Sequence, residues 1–260
     1  MHDWSRFAAV LLAITSSSAC QRMTPAHTKP DSTFEREGNF SGLRTHAVGE
    51  RHNPKQIVIL LHGWGAPGDD LVPLGEALLA PGRMFVFPEA PLVSPGGGRA
   101  WWHLDVTRIA AAREQGQKRD LRGEQPDGMA EASAQVREML DALKRRAPEA
   151  TFTIGGFSQG AMLASDVTLT ASDSLAGLVV MSGTLVNETV WAPALKKMKP
   201  GFPIFISHGR SDPILPFALA EAFRDHAQAG QHTLTWMPFE GGHEIPMSVL
   251  AGLRSFLGSR

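Results

Sequence analysis

The residues of this chain best suited to chemistry are a serine, an aspartate and a histidine, in that order along the sequence. Ser158 is the central residue of the motif G-F-S-Q-G at 156–160, between an apolar run at 152–155 and a helical pattern at 161–170. A serine at a sharp strand-to-helix turn is exposed at the positive end of the helix, and only glycines tolerate the crowding beside it. Because a lone match of this kind is more often an ordinary turn, the prediction of a nucleophile depends on its partners.

Partners of the required types follow two other predicted strands. Asp212 comes after the strand predicted at 203–207, and His243 comes after the strand predicted at 233–239. Loops that leave the carboxyl ends of strands meet at one edge of an open α/β sheet. His243 would accept the proton of Ser158 and return it to the leaving group, while Asp212 would hold the imidazole. The chain order and the strand-end positions predict a Ser-His-Asp triad that works through an acyl-enzyme.

Such a mechanism also needs donors for the negative charge that develops on the carbonyl oxygen of the substrate. The backbone N–H of Gln159 directly follows the nucleophile. The backbone N–H of Trp64 lies in the motif H-G-W-G at 62–65, after the strand predicted at 57–61. Losing one such donor typically lowers the rate by about two to three powers of ten. We therefore expect Trp64 and Gln159 to form an oxyanion hole.

Each of these residues also has a simpler interpretation. Asp212 precedes a proline and could cap the next helix, and Glu240 is its nearest rival as the acid of the triad. His243, in a G-G-H turn, could be a surface histidine. His62 and His208 each precede a glycine after a buried strand. We expect both of them to bond to loop backbone rather than to take part in catalysis.

The elements that must position these residues alternate along the chain. Apolar and β-branched runs predict strands, and stripes of apolar residues at helical spacing predict helices. Strict alternation of the two predicts an α/β fold with a mostly parallel sheet and helices on both faces. The predicted strands lie at 40–48, 57–61, 84–87, 152–155, 175–181, 203–207 and 233–239, and the predicted helices at 70–80, 127–148, 161–170, 188–198, 218–227 and 249–257.

The composition limits the classes of function. The chain has 260 residues, 25 basic and 26 acidic, with a formal net charge of -1. This length fits one large domain, which we place at 39–260. No basic cluster is dense enough to follow a phosphate backbone, so nucleic acid is not expected as a partner. The ten histidines show no H-x-x-x-H or H-E-x-x-H spacing, and we expect neither a metal nor another cofactor.

The N-terminal segment has the character of an export signal. An apolar run at 7–14 is too short to span a bilayer, and small residues lead from it to Cys20, the only cysteine. This pattern predicts a bacterial lipoprotein signal at 1–20, cleaved before Cys20, which would be acylated and anchored in the cell envelope. Ser17 stands where such signals usually carry leucine, so a plain secretory signal is the alternative. The segment 21–38, rich in Thr, Pro and Ser, is predicted to be a flexible linker.

The combination of motifs resembles one known family. The motifs G-F-S-Q-G at 156–160, H-G-x-x-D-P at 208–213, G-H at 242–243, H-G-W-G at 62–65 and F-P-E-A-P at 87–91 together resemble the phospholipase/carboxylesterase family, which includes the acyl-protein thioesterases. The resemblance covers about 55–260. It implies an α/β-hydrolase fold and the same triad and oxyanion donors. The chain departs from the family pattern at 66–68, which separates H-G-W-G from Asp69.

The longest irregular region, 88–125, is the expected substrate loop. It carries Leu92 and the pair Trp101 and Trp102. One of two adjacent tryptophans is expected to pack in the core, and the family resemblance favours Trp102 as the one that lines an acyl pocket together with Leu92. The region could also act as a lid.

Carboxylic esters are the expected substrates. Thioesters, and lipid, aryl and polysaccharide esters, stay open as alternatives, because the G-x-S-x-G motif does not separate them. The alternative is a catalytically silent binding protein of the cell envelope that keeps the hydrolase fold. Intact catalytic positions argue against that alternative, because a binding protein has no need of all three.

Overall fold

The computed structural model describes residues 38–258, apart from 106, 108–110, 112, 113, 115–119 and 171–174. Ten strands and six helices lie in this part of the chain. The strands are β1 (Gly38–Phe40), β2 (Leu43–Gly49), β3 (Gln56–Leu61), β4 (Arg83–Pro88), β5 (Leu92–Val93), β6 (Arg99–Ala100), β7 (Thr151–Phe157), β8 (Gly177–Met181), β9 (Pro203–Gly209) and β10 (Thr233–Phe239). The helices are α1 (Val72–Ala77), α2 (Met129–Arg146), α3 (Gln159–Thr170), α4 (Glu188–Lys197), α5 (Phe217–Ala229) and α6 (Met247–Gly258).

Eight of these strands form one sheet, in the order β1-β2-β4-β3-β7-β8-β9-β10. The six strands from β4 to β10 in that order are parallel to one another. At one edge β2 pairs antiparallel with β4, and β1 pairs antiparallel with β2. The predicted α/β class with a mostly parallel sheet is confirmed. Parallel strands place their carboxyl ends at a common edge, which is where the candidate residues were expected.

The sheet is covered on both faces, because alternate residues of its central strands point to opposite sides. All six residues of β3 are buried. Ile57, Ile59 and Leu61 belong to an apolar cluster that includes residues of α2, α3, α4 and α5. Val58 and Leu60 belong to a second cluster that includes residues of α1 and α6. The continuous apolar run at 57–61 therefore reflects a strand buried from two sides.

The sequence was less informative in two regions. The single strand predicted at 40–48 is a hairpin, β1 and β2, whose turn places Ser41 and Gly42 at positive φ. The region 88–125, expected to be irregular, contains the short antiparallel hairpin of β5 and β6. The strands that the sequence did not reveal, β1, β5 and β6, have only two or three residues each, which is too few for a periodic signal.

Several predictions concern residues outside those that the structure describes. The signal at 1–20, Cys20 and the linker at 21–38, of which only Gly38 is described, fall there, and part of the predicted substrate loop at 92–125 does as well. Across the described residues, no helix has the length and apolar character needed to cross a membrane.

Candidate active site

Ser158 occupies a tight turn between β7 and α3. Its φ is +54°, which is uncommon for a residue other than glycine and marks a strained backbone. The backbone N–H of Ser158 donates to the carbonyl of Met181 at the end of β8, over 2.9 Å. Ser158 is partly exposed, whereas Phe157 before it and Gln159 after it are buried. The turn therefore gives a serine access to solvent at the carboxyl edge of an otherwise buried sheet.

The glycines on either side of Ser158 are required by the neighbouring strand. A Cβ added to Gly160 would lie 2.1 Å from the carbonyl oxygen of Leu61, and one added to Gly156 would lie 2.5 Å from the same oxygen. Side-chain carbons do not approach an oxygen this closely without displacing it. The close packing of α3 on the end of β3 therefore explains the G-x-S-x-G pattern in physical terms.

Asp212 and His243 are brought together by the loops that follow β9 and β10. These strands are parallel neighbours, in register to their last residues, Gly209 and Phe239. A Cβ added to Gly209 would lie 2.1 Å from the carbonyl oxygen of Gly242, so the two loops are in direct contact. As a result, Nδ1 of His243 lies 2.7 Å from Oδ2 of Asp212.

The carboxylate of Asp212 is fully buried and saturated with donors. Oδ1 accepts hydrogen bonds from the backbone N–H groups of Ile214 and Leu215, at 2.8 and 2.9 Å. Oδ2 contacts two imidazoles, Nδ1 of His243 at 2.7 Å and Nε2 of His208 at 3.2 Å. The simpler interpretation of Asp212 as a cap is thus partly right, because one oxygen caps a turn. The other oxygen is left for the histidines.

These contacts keep Asp212 ionised. Burial by itself would raise the pKa of Asp212, but the hydrogen bonds from His208 and His243 outweigh burial, and the backbone N–H of Leu215 adds to them. The net result is a pKa well below the usual value for an aspartate. A permanent carboxylate can only accept from Nδ1 of His243, so that nitrogen carries a proton and Nε2 is the basic one.

His208 has a defined tautomer as well. Its Nε2 atom faces two acceptors, the carbonyl oxygen of Leu215 at 2.9 Å and the carboxylate of Asp212, so it must carry the proton. Its Nδ1 atom is buried without a hydrogen-bond partner among the described residues. We expected His208 to bond to loop backbone, and the structure adds its contact with Asp212.

The imidazole of His243 is also positioned beside the serine turn. Its ring centroid lies 4.8 Å from that of Phe157, the residue that precedes Ser158. The side chain of His243 is 12% exposed, and that of Asp212 is not exposed at all. The ring is therefore held between a buried anion and an apolar neighbour of the serine, with one edge open to solvent.

The two expected oxyanion donors lie on segments that meet at the serine. A Cβ added to Gly63 would lie 3.5 Å from Cβ of Ser158, so the loop after β3 passes directly beside Ser158. Within the described residues, the backbone N–H groups of Trp64 and Gln159 have no hydrogen-bond acceptor, whereas that of Gly65 donates to Arg99. Two unpaired donors next to a partly exposed serine are the arrangement that a developing oxyanion needs.

The residues expected to bind substrate are placed differently from one another. Trp101 and Trp102 are each 1% exposed and belong to the same apolar cluster. Leu92 is partly buried in β5. Contact between Trp102 and an acyl chain would therefore require the loop to rearrange, and the role of Trp102 in substrate binding stays a prediction.

The rival acid of the triad does not join the site. Glu240, the rival acid, is exposed and forms an ion pair with Arg210 at 3.2 Å. No group of three or more His, Cys, Asp or Glu side chains suited to a metal ion occurs in the described part of the chain.

Sequence reasoning missed two polar contacts of the site. One is the bond from His208 to Asp212, four residues further along the chain. The other is the side-chain amide of Gln159, which bonds to the backbone of Trp101 and Trp102. The H-G-x-x-D spacing was a signal for the contact between His208 and Asp212. The sequence held no signal for the second.

This architecture defines a class of protein. A mostly parallel sheet with a serine at a strand-to-helix turn, and with Asp and His on the loops of later strands, is that of an α/β-hydrolase. The profile of the phospholipase/carboxylesterase family matches residues 45–259. The chain belongs to this family and is a hydrolase of the esterase or thioesterase type, which confirms the resemblance noted from its motifs.

Individual relatives agree with this assignment. Acyl-protein thioesterase 1 of Schizosaccharomyces pombe is 30% identical over 176 residues, which cover 64% of this chain and 72% of the relative. The protein of the same name from Neurospora crassa is 27% identical over 217 residues, covering 78% and 86%. Among solved structures, esterase PE8 is 25% identical, with a TM-score of 0.69 over 84% of this chain and 98% of that one.

Proposed function

We propose that this protein hydrolyses carboxylic esters, and thioesters of the same acids, through an acyl-enzyme formed on Ser158. In this proposal Ser158, Asp212 and His243 form the catalytic triad. The backbone N–H groups of Trp64 and Gln159 form the oxyanion hole. The observation that carries the proposal is the position of His243, which bonds to Asp212 over 2.7 Å while its ring packs against Phe157, next to the serine.

The first half of the reaction acylates the enzyme. Because Nδ1 of His243 is bonded to Asp212, Nε2 accepts the proton of Ser158 as Oγ attacks the carbonyl carbon of the ester. The carbonyl oxygen becomes an oxyanion, which accepts hydrogen bonds from Trp64 and Gln159. The intermediate collapses, His243 gives its proton to the leaving alcohol or thiol, and the acyl group remains on Oγ.

The second half releases the acid. Water takes the place of the leaving group and gives a proton to Nε2 of His243 as its oxygen attacks the acyl carbon. The second oxyanion uses the same two backbone donors. Its collapse breaks the bond to Oγ, and the proton on His243 returns to Ser158. The sum is one ester and one water converted to one acid and one alcohol or thiol, without a cofactor.

Exposed apolar side chains on segments that follow β4, Asp212 and His243 in the chain support an apolar acyl group as the part of the substrate that is bound. Val93 in the β5–β6 hairpin is 61% exposed, Ile214 after Asp212 is 38% exposed, and Met247 after His243 is 63% exposed. They are three of the five large hydrophobic side chains that are exposed among the described residues. Burying each CH2 group of a substrate against such surface would contribute about 0.8 kcal/mol to binding.

The proposal is tested by labelling and hydrolysis in parallel. Wild-type protein should react with a fluorophosphonate probe and hydrolyse p-nitrophenyl esters, and Ser158→Ala should lose both while it keeps its circular dichroism spectrum. Ser255→Ala, at an exposed position on α6, is the matched control and should behave as wild type. A folded wild-type protein that neither labels nor hydrolyses any ester of a broad panel would instead support the silent binding protein.

A further inference from the structure

Trp101 contacts both segments that carry the proposed oxyanion donors. Its indole Nε1–H donates to the backbone carbonyl of His62 over 3.0 Å, in the loop that leads to Trp64. Its backbone N–H donates to Oε1 of Gln159, also over 3.0 Å. With only 1% of its surface exposed, Trp101 is fixed in the core. One buried residue therefore links the two sides of the oxyanion hole.

The side chain of Gln159 completes this link. While Oε1 accepts from the backbone of Trp101, Nε2 donates to the carbonyl of Trp102 over 2.9 Å. Both polar groups of the buried amide are thus bonded to successive residues of one strand end. Gln159 therefore has two separate parts, a backbone N–H that is the proposed oxyanion donor and a side chain that holds the Trp101–Trp102 backbone.

His62 connects Trp101 to the peptide group that contains the N–H of Trp64. Nε2 of His62 accepts from the backbone N–H of Ala90 at 3.1 Å, so Nδ1 holds the ring proton and donates to the carbonyl of Gly63 at 2.8 Å. Burial lowers the pKa of His62, which keeps the ring in this neutral form. The ring of Trp101 lies 5.5 Å from that of His62.

Because the peptide group is planar, these contacts also fix the direction of the N–H of Trp64. The carbonyl of Gly63 and the N–H of Trp64 belong to one planar peptide group and point in opposite directions. The hydrogen bond from Nδ1 of His62 fixes the carbonyl of Gly63, so the N–H of Trp64 points away from the ring of His62. On the other side, the carbonyl of Ser158 accepts from Ala161 and Met162, which fixes the peptide that contains the N–H of Gln159.

We propose that Trp101 is a positioning residue that, through His62 and the Gln159 side chain, holds the N–H groups of Trp64 and Gln159 in register for one oxyanion. The inference rests on the proposed function. It assigns to Trp101 a role in rate rather than in substrate binding. Since donors that drift apart still bind a neutral carbonyl but stabilise its oxyanion less, the loss should fall on kcat.

The test is Trp101→Phe, which removes the indole donor and keeps an aromatic ring. With a short p-nitrophenyl ester, kcat should fall by about tenfold to a hundredfold, less than the loss of a whole donor, while KM changes by less than about twofold. Affinity for a trifluoromethyl ketone, which forms a tetrahedral oxyanion on the serine, should fall by the same factor as kcat/KM. A merely structural role would not link these two quantities.

Trp191→Phe is the matched control. Trp191 is fully buried and its Nε1–H donates to a side chain, Oδ1 of Asp166, over 3.0 Å, away from the loops of the site. This variant should lose comparable stability but keep wild-type kcat. If it loses kcat as much as Trp101→Phe does, the effect is general destabilisation and the positioning role is overturned.

Gln159→Met gives a second, independent readout, because it keeps the backbone N–H and removes both side-chain bonds. It should reproduce the fall in kcat, and the double variant with Trp101→Phe should lose little more than either alone, since both break one link. Unchanged kcat in both single variants, with Ser158-dependent hydrolysis intact, would overturn the inference alone. Absence of Ser158-dependent hydrolysis in the wild type would overturn the proposed function and the inference with it.

Discussion

His208 and Asp212 form a buried pair in which Nε2 of the imidazole lies 3.2 Å from Oδ2 of the carboxylate. This is the oxygen that also accepts the hydrogen bond of His243, at 2.7 Å. Neither His208 nor Asp212 exposes its side chain. His208 thus helps to fix the position and the ionised state of the group on which His243 depends.

Replacing His208 should therefore reduce both stability and activity. His208→Asn removes the second imidazole from Asp212, and a hydrogen bond to a charged group contributes about 1.5–3 kcal/mol to stability. We expect the free energy of unfolding to fall by that amount and kcat/KM to fall by about tenfold, equivalent to about 1.4 kcal/mol. His232→Asn is the control, since His232 is also buried but bonds to the carbonyl of Leu195. Its loss should be confined to stability, as measured by urea unfolding.

The crowding at the serine turn predicts a large effect for a small substitution. Gly160→Ala places a methyl group where only about 2 Å separates it from the carbonyl of Leu61, and overpacking of this kind typically costs about 1–3 kcal/mol. The rate of labelling by a fluorophosphonate probe should also fall in Gly160→Ala, because Ser158 lies in the turn that the methyl group displaces. Gly123→Ala, with no atom within 4 Å of its new carbon, should stay within about 0.5 kcal/mol of wild type. Equal unfolding midpoints for the two variants would contradict the crowding argument.

The raised pKa of Asp70 predicts how the free energy of unfolding depends on pH. Burial, with a smaller contribution from the neighbouring charge of Asp69, raises the pKa of Asp70 from 3.8 to about 6. Between these values the folded state binds more protons than the unfolded state, so this residue makes the protein less stable as pH rises from about 4 to 6. Asp70→Asn should remove that loss, and its gain over wild type should grow across this window and be constant above it.

Chemical unfolding at half-unit steps from pH 4 to 7.5 would measure the effect of Asp70→Asn. Asp212 contributes in the opposite direction: its lowered pKa gives stability that is lost as pH falls below the unfolded value of 3.8. The chosen range therefore separates the two residues. A difference between Asp70→Asn and wild type that does not vary with pH would show that the charge of Asp70 is not the cause.

The loop that carries Trp101 and Trp102 should determine which acyl chain lengths the enzyme prefers. We expect short to medium acyl esters to be preferred, with kcat/KM rising by a few-fold per carbon and then falling when the pocket is full. Trp102→Ala should flatten this profile more than Trp101→Ala does, while Trp101→Phe should lower kcat at every chain length. A p-nitrophenyl ester series from two to twelve carbons measures both. A flat wild-type profile would remove the loop from substrate selection.

The N-terminal segment predicts anchoring in a bacterial envelope. If Cys20 carries two acyl chains, the mature protein should partition into detergent, since two chains suffice for stable anchoring where one does not. Cys20→Ser should release the protein or leave it unprocessed. A soluble wild-type protein whose mature N-terminus lies elsewhere would favour the plain secretory signal.

The local sequence pattern was sufficient to predict most strands and helices and the strand ends at which the candidate site lies. Runs such as 57–61 and 204–206 are apolar because their strands are covered on both faces, and this pattern is local. The turn at Ser158 was recognisable because its glycines respond to crowding that any such turn produces. Because parallel strands end at one edge of the sheet, Asp212 and His243 were expected to meet at the edge that carries Ser158. The hydrogen bond between Asp212 and His243 agrees with this expectation.

The hydrogen bonds among the polar groups around those residues depend on how distant segments pack, and the sequence did not predict them. The sequence assigned His208 to loop backbone and treated Gln159 only as a backbone donor. Their side chains in fact reach Asp212 and the Trp101–Trp102 backbone. A periodic pattern states which face of an element is apolar, but the partner of a buried polar group depends on how distant loops pack. Trp101 and Gln159, 58 residues apart in sequence, are brought into contact only when α3 packs against the loop that follows β4.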